Sequence, residues 1–359
     1  MIALTVERGP RVSGRVPLVW LALAAGVSVA LWALVEHFAL APTNPRFAEM
    51  LVAARTMQAA SSVLVAEKTA RGLLASPADD PNRTGMIGAE YSPITTTLGE
   101  LAAKRTATNP DLAAAFVRLI DEVHPPAGSP AVIIVSGSFV GGNIAAIAAV
   151  EALGLRPVLV ASLGASMWGA NDPSFNFLDM VAALRAHDVI RTGVVAAVLG
   201  GDAAIADGME PAGAAALRAA AVRLGVPLVE LRPFSRLVEV LLDDVRKALG
   251  DGVKPGIVIN VGGALIGLGT CREAAELQPG LTKRKIPCTD GTPGLAMRVQ
   301  EGGVPMLHVL NLKRLAVDLG LPFDPVPLPT PGNNVAVYGS DRGGAGEKRE
   351  GGTTDGIRP

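Results

Sequence analysis

The chain has 359 residues, 49% of them apolar and only 4% aromatic, with a formal net charge of −1. That balance gives no electrostatic case for nucleic acid as a partner, and the length allows one large domain or two small ones. An apolar fraction drawn from Ala, Val and Leu, with few rings, suits an α/β body of closely packed helices.

Taken in chain order, Arg8, Arg11 and Arg15 precede nineteen residues, 17–35, that carry no charge. As a helix rising about 1.5 Å per residue, this stretch would cover roughly 28 Å, against a hydrocarbon core of about 30 Å. The expectation is a cytoplasmic tail over 1–15 and a single membrane-spanning helix over 16–38. The arginines stay inside, so the rest of the chain lies on the extracytoplasmic, periplasmic side and the lipid bilayer is a partner. A cleaved signal peptide is the competing reading. It would have a shorter apolar core and a cut near Ala39-Leu40-Ala41. Free nucleotide is not expected outside the cytoplasm, so glycine-rich loops further on are not read as nucleotide sites, and no cofactor is expected.

Pro42 and Pro45 break the first helix, and helical spacing of Phe47, Met50, Leu51, Ala54 and Met57 predicts a second over 47–74. A linker and a hydroxyl-rich piece follow, and Thr108-Asn109-Pro110-Asp111 opens a helix to about residue 123. Residues 39–128 thus form a helical and linker region. Residues 131–150 also lack charge, but a β-branched half, a Ser-Gly-Ser and Gly-Gly-Asn middle and a helix-forming half read as strand, turn and helix.

From 129 to 330 short β-branched runs alternate with helices. Strands are expected at 132–135, 157–161, 194–199, 227–231, 257–261 and 305–310. Helices are expected at 143–153, 176–186, 211–224, 235–249 and 312–319. The fold class is α/β, a mostly parallel sheet with helices on both faces in a Rossmann-like three-layer arrangement. Residues 331–359, rich in Gly and charge from Gly339, are expected to form a disordered tail. Cys271 and Cys288 are read as a disulfide, which the extracytoplasmic compartment permits.

Ligands of open parallel sheets bind beyond the carboxyl ends of the strands. There the sequence places Ser136, Gly137, Ser138 and Asn143 after the first strand. Ser166, Trp168, Asn171 and Asp172 follow the second, Gly200-Gly201-Asp202 the third, and Gly262 and Gly263 the fifth. His308 and Asn311 belong to the last strand. These loops predict a binding cleft, because glycines let backbone approach a ligand and helix-start N–H groups favour anions. Neither Ser138 nor Ser166 has the flanking glycines of a nucleophile elbow. A Ser138–His308 pair completed by an acid such as Asp172 remains a possible catalytic set, because triads are defined by geometry. The histidines (His37, His124, His187, His308) are scattered and no metal is expected. Lys283-Arg284-Lys285, inside the disulfide loop, reads as a solvated run or a clamp for carboxylates.

Several strings are familiar together: GAEYSPITTTLGELAAKRTATNPDLAA, SGSFVGGNIAAIAAVEALGLRPV, LGASMWGANDPSFNFLDM, VINVGGALIGLG and VPMLHVLNLKRLAVDLGLPFDPVPLP. From about residue 15 to 330 the chain resembles the poly-γ-glutamate system protein family, bacterial proteins encoded beside the poly-γ-glutamate synthesis machinery. The resemblance implies a process and no particular reaction: making, exporting or trimming an anionic γ-linked polymer. It also implies partners, namely the polymer, an ATP-dependent amide ligase and a multi-spanning membrane subunit. The main expectation is a membrane-anchored protein binding the polymer or its ends. The alternatives are a hydrolase or transferase acting on γ-glutamyl bonds, and a structural subunit of the synthase complex.

Overall fold

The computed structural model describes residues 17–38 and 43–339, in two compact units that divide after Thr43. The expected tail over 1–15, the cut near residue 39 and the tail beyond 339 lie outside the described residues. The first unit is one helix, α1 (Leu18–Phe38). Its side chains are described from Leu18 to Leu31, and all of them are exposed, Trp20, Leu21 and Val29 included. Among the described residues no helix is long and apolar enough to cross a membrane.

The second unit is built on a six-stranded sheet: β1 (Pro130–Ser136), β2 (Arg156–Ser162), β3 (Val194–Val198), β4 (Ile257–Val261), β5 (Gly280–Thr282) and β6 (Met306–Val309). The spatial order is β3-β2-β1-β4-β6-β5, parallel except for the β5 edge, which runs antiparallel to β6. Period-two alternation explains why the strands are apolar on both sides. Ala131, Ile133 and Val135 join Leu159 and Ala161 in one core, and Val132, Ile134, Val158 and Val160 face a second core on the opposite side.

The first core takes α2 (Phe47–Arg71), α4 (Asp111–Asp121) and α5 (Val140–Ala152), which bury Met50, Met57, Phe116 and Ile144. It also takes α6 (Phe177–Ala186), opened by a reciprocal cap in which Asn176 Oδ1 accepts from Leu178 N at 2.9 Å and Asp179 accepts from Asn176 N at 3.1 Å. Leu217 and Ala221 of α7 (Pro211–Leu224) reach the same core. The second core is covered by α8 (Phe234–Leu249) through Leu237, Leu241 and Val245. The α/β class and the mostly parallel sheet stand as expected.

Three differences are informative. The strand expected at 227–231 is reduced to one parallel bridge, Ala197 with Leu228, because only Ala197 N to Pro227 O and Val229 N to Ala197 O pair there. The helix α3 (Leu101–Ala107) and the edge strand β5 were not expected at all. Residues 331–339 belong to the fold instead of a disordered tail: a turn of helix, Val335–Tyr338, buries Tyr338, whose hydroxyl donates to Asp111 Oδ1 at 2.7 Å.

The chain adds β2 and β3 on one side of β1, then returns to place β4 on the other. The sheet therefore reverses its order between β1 and β4. A crevice opens at such a point, because the connections leave in opposite directions.

Candidate active site

A cleft of about 690 Å³ lies there. Its walls come from the strand ends (Ser136, Ser138, Ser162, Ser166, Gly263), from Thr96–Lys104 in part, from Asp202, and from Asn311 with Lys313. Four serines on one floor follow from topology: β1 and β2 end level, with Ser136 paired in register to Ser162, and Ser138 and Ser166 lie just beyond those two ends.

The backbone is shaped to leave that floor open. At Gly262, with φ +90°, a Cβ would stand 2.6 Å from Ser136 Oγ, so only glycine fits. Ser136 Oγ is buried and has no hydrogen-bond partner among the described residues. Beneath it, Asn143 Nδ2 donates to Ser136 O at 2.7 Å and ties the first turn of α5 to the end of β1.

The charge at the centre comes from Lys104 on α3. This helix is pressed against α5 where Gly141 has no side chain, since a Cβ there would collide with the Ala107 carbonyl. Its other side is held by Asp324, whose carboxylate accepts from Arg105 Nε at 2.7 Å and whose N–H donates to Thr106 Oγ1 at 2.8 Å. So fixed, Lys104 is 4% exposed. Its Nζ donates to Ser138 O, hydrogen-bonds Ser166 Oγ, and stands 4.2 Å from the centre of the Phe139 ring. Among the described residues no carboxylate reaches it, and burial lowers its pKa to about 7. Ser138 Oγ accepts from Ser166 N at 3.0 Å, which closes a three-residue cluster.

Of the residues singled out in sequence, Ser136, Ser138, Ser166 and Gly263 line the cleft, as do Asp202 and Asn311. Gly137, Asn143 and Gly262 are not among the lining residues, though Asn143 and Gly262 adjoin Ser136, which is. Trp168, Asn171 and Asp172 are not among the lining residues. Trp168 takes a left-handed backbone (φ 57°) that pairs with segment 88–89, and Asn171 clasps Ala89 through both amide atoms, at 3.0 and 2.8 Å. Asp172 accepts from Ser174 N at 2.8 Å in a tight turn.

His308 is fully buried in β6, outside the cleft lining, and burial lowers its pKa to about 4. The structure therefore does not bring His308 to Ser138. Cys271 and Cys288 form a disulfide. The Lys283-Arg284-Lys285 run is exposed and lies off the cleft. Among the described residues no group of three His, Cys, Asp or Glu side chains could hold a metal ion.

Lys104 is a residue that sequence reasoning missed, as are Glu100 and Lys313 in the same cleft. A lysine in an Ala-rich helix ordinarily points to water, and nothing local distinguishes this one. Comparisons with protein-family models, characterised proteins and solved structures find no match to this chain. The chemistry of the cleft is then the basis for a functional reading.

Proposed function

We propose that the chain is a membrane-anchored, extracytoplasmic component of a poly-γ-glutamate system, and that its cleft takes the end of a γ-glutamyl chain. One observation carries this reading: the cleft is lined by both signs of charge, Glu100 and Asp202 with Lys104 and Lys313. The interior of the polymer offers one carboxylate per residue and would be repelled by the two acids. A chain terminus carries an ammonium beside a carboxylate and answers both signs. The volume also suits a small ligand or a terminus better than a long stretch of polymer.

The anchor rests on the uncharged run 17–35, the arginines before it, and the apolar side chains exposed around α1. An export-dependent reporter fused after residue 338 should be active, and activity of a cytoplasm-only reporter there would overturn the orientation. The ligase and the multi-spanning subunit are the partners that the resemblance suggests.

Calorimetric titration of the full chain in detergent tests the cleft. Short γ-glutamyl oligomers with a free amino end should bind, and acetylating that end should weaken binding about tenfold or more, the worth of one charge-assisted hydrogen bond. Asp202→Asn should blunt this sensitivity. Equal affinity for acetylated and free oligomers would remove the chain-end reading.

A further inference from the structure

We propose that Ser166 and Lys104 form a nucleophile–base pair that opens the terminal γ-glutamyl amide through an acyl-serine, with the Ser138 hydroxyl donating to the developing oxyanion. The choice of substrate rests on the proposed function; the chemistry of the pair rests on the geometry alone. Three features point to it. Lys104 Nζ is hydrogen-bonded to Ser166 Oγ on the wall of an open cleft. Its other contacts, Ser138 O and the Phe139 ring, hold the amine in place without neutralising it. Ser138 Oγ accepts the Ser166 N–H at 3.0 Å, which leaves its own proton free for an acceptor in the cleft.

A serine hydroxyl is a weak nucleophile until a neighbouring base takes its proton. Lysine is usually too protonated for that task, and here burial brings Lys104 to about 7, where a large share is neutral. Glu100, which immediately precedes α3, shares the cleft with Asp202 and Lys313, and none of the three forms an ion pair with Lys104.

The step balances without any redox partner. Neutral Lys104 takes the Oγ–H proton as Ser166 Oγ bonds to the amide carbon. The resulting ammonium passes that proton to the departing nitrogen as the C–N bond breaks, leaving an ester on Ser166 and a free amine. Water, or the amine of another chain, then attacks the ester and gives its proton to Lys104, which returns it to Ser166 Oγ. The products are a carboxylic acid, or a new amide in the transfer case.

The test uses the full chain in detergent with a serine-reactive fluorophosphonate and with short γ-glutamyl oligomers, read by mass spectrometry. The expected result is one phosphonyl adduct, on Ser166, and oligomer shortening whose rate rises as pH passes about 7. Lys104→Arg keeps a cation but cannot serve as a base near neutrality, so it should lose both labelling and turnover by about a hundredfold or more. Ser166→Ala should abolish turnover while still binding oligomers, which shows that it is folded. Oligomers that bind yet are neither cut nor transferred, with Ser166 unlabelled, would overturn the catalytic pair and leave the proposed function standing. Ser166 labelling with no oligomer binding would keep the pair and overturn the γ-glutamyl substrate.

Discussion

Asn260 and His308 stand at the same register on the adjacent strands β4 and β6, with Asn260 Nδ2 3.2 Å from His308 Nδ1. Nδ2 also donates to Gly262 O at 2.9 Å, which sets the orientation of the amide. An amide nitrogen can only donate, so Nδ1 of the neutral ring accepts and the proton sits on Nε2. The pair thus stabilises an uncharged histidine inside the sheet and contributes no base to the cleft.

A pH dependence follows from this. His308 titrates near 4 when folded and near 6.5 when unfolded, so between those values the unfolded chain binds more protons and stability falls as pH falls. Across that window the loss from this group is on the order of 3 kcal/mol. Urea unfolding at several pH values should show a shallower acid decline in His308→Gln than in the parent. Parallel curves would show that His308 is not the titrating group.

Tyr338 and Asp111 give a second prediction with the opposite sign. Burial raises the Asp111 pKa, and the Tyr338 hydroxyl is its one side-chain donor among the described residues. Tyr338→Phe should cost about 1–3 kcal/mol near neutrality, where a buried carboxylate loses its partner. The cost should shrink in acid, where the group is protonated. Denaturation midpoints at the two pH values decide it, and a pH-independent cost would count against a buried charge.

The position of α3 depends on Gly141. Gly141→Ala places a Cβ against the Ala107 carbonyl and 2.9 Å from Thr108 N, so α3 must move off α5. Overpacking of this kind costs about 1–3 kcal/mol. Because α3 carries Lys104, fluorophosphonate labelling at Ser166 should fall more than the melting temperature would suggest. Undiminished labelling in a destabilised Gly141→Ala would mean that Lys104 keeps its place without that contact.

The disulfide joins residues seventeen apart, Cys271 and Cys288. A loop of about this size gives roughly 3 kcal/mol in the chain-entropy model. The double variant Cys271→Ser, Cys288→Ser should lower the unfolding free energy by that order, and the parent should resist alkylation until reduced. Free labelling of both thiols in the unreduced, unfolded protein would refute the bridge.

What the sequence determined by itself is whatever depends on neighbours along the chain. Alternating β-branched runs specify strands such as Ile257–Val261, helical spacing specifies Phe47–Arg71, and the serines and glycines after each strand mark the edge where a cleft belongs. The short pairing at Pro227–Val229 already depends on distance, since an apolar run becomes a strand only where a partner edge continues beside it. Only the tertiary structure could decide the centre of the site. Lys104 is buried because Gly141 lets α3 touch α5 and because Asp324, more than two hundred residues away, holds the other side of the helix. Desolvation of an amine depends on what surrounds it in space, and here Ser138, Phe139 and Ser166 come to it from other stretches of the chain. His308 shows the converse: its place at the end of an apolar strand suggests a base, and its full burial beside Asn260 of the neighbouring strand makes it a core residue.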